Sequence, residues 1–157
     1  MRVQDIMRRS PMSCGPTTNL AAVTESLWSF GCGALPIVDA SGKVKGIITD
    51  RDICIALGTR NVRPSDLTAG QVMTRPVTVC GSNDDVHAAL KIMQTKKMRR
   101  VPVVGEDGQL EGMLCLSDLV LQARHDDGSR PELTYEDVMS ALRAIYWRPS
   151  PALAAKL

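Results

Sequence analysis

Apolar residues recur at helical spacing in two places, and each time the pattern then switches to short β-rich runs. Leu20, Val23, Leu27 and Trp28 mark one buried helical face, and Val86, Ala89, Leu90 and Met93 mark a second. Ahead of them, "GPTTN" and "GSNDD" supply the Thr, Ser, Asn and Asp side chains that cap helix starts. After each helix come a β-rich run ("ALPIVD", "RVPVVG"), a glycine-containing turn ("ASGK", "EDGQ") and a returning strand ("VKGIIT", "LEGMLC"). That order reads as a hairpin. A further helix starts at Asp50–Asp52 in the first half and at Ser117–Asp118 in the second, and a short opening strand is expected near 11–14 and 77–80. Each half is therefore β-α-β-β-α, and the chain is of the α/β (α+β) class.

The halves are copies. A shift of sixty-six positions aligns, without a gap, Met7 with Met73, Cys14 with Cys80, Pro36 with Pro102, Gly42 with Gly108, Gly46 with Gly112 and Asp52 with Asp118. Repetition of this kind sets the architecture. The expected division is repeat one at 1–57, a linker at 58–70, repeat two at 71–124, and a loop with a C-terminal helix at 125–157. Neither half is large enough to build much core alone, so the two should pack as a pseudo-twofold pair. In the tail, "TYEDVMSALRAIYW" (134–147) reads as a capped helix with Val138, Leu142 and Ile145 on one face and "RPSP" as its stop. Such a helix needs a surface, on its own chain or on a second subunit.

Composition narrows the function. Of 157 residues 44% are hydrophobic and 23% charged, as in ordinary globular proteins. Aromatics at 3% cannot supply a base-stacking platform, and a net charge of +2 gives no general attraction to polyanions, so no nucleic-acid partner is expected. No apolar run is long enough to span a membrane and the N-terminus lacks a signal-peptide core, so a cytoplasmic location is expected. Five cysteines without a C-x-x-C pair, beside two histidines, argue against zinc; most should be small buried hydrophobes, with Cys14 and Cys80 in a packing role. Without a Ser-His-Asp or Cys-His arrangement, a carboxylate dyad or a phosphate-binding glycine loop, no catalytic residue is assigned and no enzyme is expected.

The strand-to-helix corner "GIITDRDI" differs from its copy "GMLCLSDL": the acid persists as Asp118, but Cys115 replaces Thr49. Thr-x-x-Asp before an apolar helix has two readings. Thr49 and Asp52 could cap the helix, or Thr49 could face a phosphate at the helix start and Asp52 a ribose. The basic pair Arg99 and Arg100 precedes the β-rich run of repeat two, where repeat one has Gly33 and Ala34. It reads either as a phosphate clamp or as a solvated face at a helix end.

The doubled "DIM … ALPIVDASGKVKGIITDRDI" and "QVM … MRRVPVVGEDGQLEGMLCLSDL" resembles the CBS domain pair, or Bateman module, over about residues 3–123. Within it the chain is similar to the small stand-alone two-repeat hypoxic response proteins of mycobacteria. The resemblance implies two clefts between the repeats, a regulatory role without chemistry, an adenine-containing ligand (AMP, ADP, ATP, NAD or S-adenosylmethionine), and homodimers with four repeats in a disc. It also implies that Thr49, Asp50 and Asp52 face the ligand, that Arg99 and Arg100 reach its phosphates across the dyad, and that Thr68, Val72 and Val77 hold the purine. Asp118 would mark a second, weaker cleft. The leading expectation is an adenine-nucleotide sensor with no required cofactor. The alternative is an interaction or stress protein with empty clefts and an unknown protein partner.

Overall fold

The computed structural model describes residues 1–126, 128 and 131–147. Repeat one contains α1 (Leu20–Ser29), β2 (Ala34–Val38), β3 (Val44–Thr49) and α2 (Asp50–Arg60), preceded by β1 (Arg8–Arg9). Repeat two contains β4 (Cys80–Gly81), α4 (Val86–Lys96), β5 (Arg100–Val104), β6 (Leu110–Cys115) and α5 (Leu116–Gln122), preceded by α3 (Ala69–Val72). The tail adds α6 (Tyr135–Tyr146).

Local chemistry sets the helix limits. Asn19 Oδ1 accepts from the Ala22 amide at 2.9 Å to start α1, and Asp85 Oδ1 accepts from the His87 amide at 2.8 Å to start α4. Asn61 and Lys97 close α2 and α4 in the left-handed region, at φ 50° and 55°. The hairpins β2–β3 and β5–β6 are antiparallel, and both carry the same irregularity, between Ile37 and Val38 and between Val103 and Val104.

The sheets reveal how the halves interlock. Repeat two has a four-stranded sheet in the order β1-β6-β5-β4, so its outer strand, β1, comes from the segment that leads into repeat one. The same plan is present in repeat one as isolated bridges, Ile47 with Thr74 and Cys14 with Ile37, flanking the β2–β3 hairpin. Each lead segment therefore crosses to the opposite repeat. Val3 and Met7 lie in the core of repeat two with Met93, Leu114 and Leu119, while Leu67 and Ala69 lie in that of repeat one with Leu20, Ile37 and Ile48. A third cluster, Ala34, Ile47 and Met113 with Val77 and Cys115, joins the repeats.

Three expectations change. The opening strands at 11–14 and 77–80 shrink to a bridge at Cys14 and the two residues of β4, because the flanking chain leaves the sheet. Trp28 is 87% exposed: it follows Leu27, the last core residue of α1, and is turned about 100° away from it. Of the five thiols, all free, only Cys80 is buried and Cys54 is exposed on α2. Burial pushes the Cys14 thiol up and that of Cys80 up to about 12, which suits packing rather than reactivity.

Helix α6 packs on repeat two through Val138, Ala141 and Ile145, with Leu142 half-buried at the edge of that face. Its expected stop at "RPSP" and part of the preceding loop lie outside the described residues. The Thr134 hydroxyl donates to Asp137 Oδ2 and the Asp137 amide returns a bond to Thr134 Oγ1, closing a capping box. The bonds that Asp137 Oδ2 accepts from the Thr134 hydroxyl and the Thr134 amide, with His87 of α4 3.6 Å away, hold the Asp137 carboxyl below its ordinary value. A lowered folded-state value means that this stabilisation is full above the unfolded pKa of about 4 and is lost as pH falls through the folded one. The thermal midpoint should therefore fall less steeply on acidification in Asp137→Asn than in the wild type; parallel curves would refute the assignment.

Candidate functional site

Thr49 ends β3 and caps α2. Its Oγ1 accepts from the Asp52 amide at 3.2 Å, while Asp52 Oδ2 accepts from the Thr49 amide at 2.9 Å and from the Thr49 hydroxyl at 2.7 Å. Both residues thus act as a capping box, and the second carboxylate oxygen of Asp52, Oδ1, takes no part in these bonds. Asp50 turns toward Gly33: a Cβ placed there would stand 3.2 Å from Asp50 Oδ2 and 3.4 Å from Arg100 Nη2. Arg100 thereby reaches from β5 to the start of α2, in the other repeat.

The second corner differs in one respect that matters. Asp118 Oδ2 accepts from the Cys115 amide at 2.9 Å, but its Oδ1 is taken by Arg8 Nε at 3.0 Å. Asp118 is only 8% exposed, and this pairing raises the Arg8 guanidinium further above its ordinary value. Arg8 belongs to the crossing lead, and its copy in the other lead is Thr74, whose backbone bonds Ile47. One corner therefore keeps a carboxylate oxygen in reserve and the other has its acid neutralised.

A cavity of about 440 Å³ opens between the repeats at this second corner. Arg8, Arg99, Arg100 and Ser117 give it cationic and hydroxyl character, Gly31 and Cys32 form its repeat-one side, and Leu142 of α6 joins from the tail. Arg99 Nη1 also donates to the Tyr146 hydroxyl at 3.0 Å. The arginines are therefore not gathered around Thr49 and Asp52, as the resemblance suggested. Arg99 lies in the cavity of the second corner, and Arg100 stands between the two. The Cys115–Asp118 corner, expected to mark the weaker cleft, is also lined by Arg8, a residue the motifs do not single out. The signal was present in the doubled "DIM"/"QVM" leads, had they been read as crossing over.

The apolar candidates separate. Thr68 caps α3, its amide donating to Gln71 Oε1 at 2.9 Å, and Val72 packs on the core of repeat one. Val77 lies in the cluster between the repeats. Among the described residues no three His, Cys, Asp or Glu side chains gather as a metal site, and no helix is long and apolar enough to cross a membrane.

Comparison with known proteins places this geometry. MK0525 of Methanopyrus kandleri is 29% identical over 118 residues, covering 75% of this chain and 60% of its own length. The chain spans only 24% of the inosine-5'-monophosphate dehydrogenase of Bifidobacterium longum, to which it is 30% identical. Hypoxic response protein 1 of Mycobacterium tuberculosis is 30% identical over 122 residues, covering 78% of this chain and 82% of that one. The solved Hypoxic Response Protein I with two coordinated zinc ions superposes with a TM-score of 0.73 at 27% identity, over 79% of this chain and 100% of that one. The CBS domain pair of MJ0100, in complex with 5-methylthioadenosine and S-adenosyl-L-methionine, gives 0.70 at 27% identity, over 77% and 94%. The CBS domain model matches residues 3–59 and again 69–124. With both repeats matched and their order and pairing seen in the fold, this chain belongs to the CBS domain family and carries a CBS domain pair.

Proposed function

We propose that the chain is a regulatory, non-catalytic cytoplasmic module that takes a phosphorylated adenosine between its repeats. The observation that carries this reading is the inter-repeat cavity with Arg8, Arg99, Arg100 and Ser117 in its lining. Guanidinium forks match phosphate oxygens and recruit an anion where the rest of the surface is close to neutral. The adenosine part is supported by the MJ0100 pair, whose ligands both contain it. Three arginines favour an anionic tail over the neutral methylthio group or the cationic sulfonium of those two compounds. The first corner, where Asp52 is the proposed ribose partner with Thr49 and Asp50 at the same helix start and Thr68, Val72 and Val77 as purine contacts, is a separate cleft of the same proposal, since none of these residues lines the arginine cavity.

Thermal shift with AMP, ADP, ATP, NAD and S-adenosylmethionine tests the proposal. A ligand at about a hundredfold its Kd adds roughly 2.7 kcal/mol of stability. The phosphorylated compounds should shift the midpoint and S-adenosylmethionine should not. No shift with any of them sinks the nucleotide reading.

A homodimer belongs to the same proposal. Trp28, Phe30 and Ile55 are exposed on repeat one, where no helix corresponding to α6 covers α1 and α2 among the described residues. Light scattering should give twice the chain mass; a monomer at micromolar concentration would refute it. The same face favours the second reading, an interaction protein, if no ligand binds.

A further inference from the structure

We infer that α6 is a wall of the anion cavity and sets its affinity through Tyr146, a positioning residue that acts on Arg99. The inference rests on the nucleotide reading above and adds a regulatory element that lies outside the two matched domains, which end at residue 124.

The last turn of α6 is clasped by two cations from the connection between α4 and β5. Lys97 Nζ donates to the Ala144 carbonyl and lies 5.4 Å over the ring of Trp147. Arg99 donates to the Tyr146 hydroxyl at 3.0 Å, with its guanidinium 5.9 Å from that ring. Cations suit this place, because the unpaired carbonyls at a helix C-terminus carry partial negative charge. At the corresponding positions repeat one has Gly31 and Gly33, so it could not hold such a helix. The basic cluster in repeat two is thus explained in part by the tail. Neither the phosphate clamp nor the solvated face accounts for Lys97.

Arg99 does both jobs. It lines the cavity while Tyr146 engages one of the five N–H donors of its guanidinium, leaving the others for an anion. One turn earlier, Leu142 lines the same cavity. A side chain with this much rotamer freedom is costly to order on binding, and Tyr146 orders it beforehand. Coupling of this kind is reciprocal: if the docked tail strengthens anion binding, the bound anion must strengthen tail docking by the same factor. Occupancy of the cavity would then be reported at the C-terminal helix, on the surface of the molecule.

The test is isothermal titration of the full chain with ADP, together with hydrogen exchange across residues 134–147. Tyr146→Phe, which keeps the ring and removes the hydroxyl, should weaken ADP binding by about three- to tenfold, and Tyr146→Ala should weaken it further. In an Arg99→Ala background, Tyr146→Phe should cause no additional loss, a result that general destabilisation of the tail would not produce. ADP should slow exchange in α6. Unchanged affinity in both tyrosine variants, a loss that persists without Arg99, or exchange indifferent to ADP would each overturn the role of the tail and leave the cavity standing. A wild type that does not bind ADP overturns the site itself, and this inference with it.

Discussion

Gly46→Ala and Gly112→Ala should each destabilise the protein by about 2 kcal/mol, although both replacements are small and keep the strand. A Cβ at Gly112 would overlap the Met7 sulfur and stand 3.0 Å from the Arg8 carbonyl oxygen; at Gly46 it would overlap Met73 and stand 3.1 Å from the Thr74 carbonyl oxygen. The methionine side chain could bend away at the expense of its packing. The carbonyl cannot move without parting the crossing lead from the strand it pairs with. That strain outweighs the gain of roughly 0.4–1 kcal/mol that Gly→Ala brings by restricting the unfolded chain. Urea unfolding measures the loss. Met7→Ala combined with Gly112→Ala should cost less than the sum of the two single losses, since the shortened side chain makes room for the new Cβ. Fully additive losses would show that the two residues do not oppose each other.

The largest functional effect is expected at Arg100. Arg100→Ala should weaken the binding of a phosphorylated adenosine by about a hundredfold, as befits the loss of charge-assisted hydrogen bonds in a partly enclosed site. The side chain is half-buried, and no ion pair engages it among the described residues, so its removal should change stability little. Arg100→Lys should recover only part of the affinity, because an ammonium group cannot reproduce the planar fork. Binding of an anion there should weaken as salt rises. Arg100→Ala should flatten that dependence, since it removes a charge from the contact. Affinity unchanged in Arg100→Ala would place the anion elsewhere and remove the cavity as its site.

Much of the architecture was legible in the chain. Helical spacing at Leu20, Val23 and Leu27 and the hairpin turns at Gly42 and Gly108 are local signals, and a sixty-six-residue shift doubled each of them. Structure departs from local pattern where the outcome depends on a partner. Trp28 continues the apolar pattern but points outward. The opening strands fail because a strand exists only where another pairs with it, and it is the leads that pair at the outer edges. For Thr49 and Asp52 the motif left cap and ligand open. The capping bonds form, but they use only Asp52 Oδ2.

Spacing and residue type in the chain were thus enough to establish two copies of one β-α-β-β-α unit, an amphipathic tail helix, and an asymmetry between Thr49 and Cys115. These properties depend on neighbours a few residues apart, which is the range over which backbone preference and side-chain periodicity act. Which repeat receives each lead, which carboxylate keeps a free oxygen, and where the arginines point depend on groups far apart in the chain. Arg8 meets Asp118 110 residues away, and Arg99 meets Tyr146 47 residues away. No local preference encodes such pairs, and they came into being only when the crossing leads and the tail closed on repeat two.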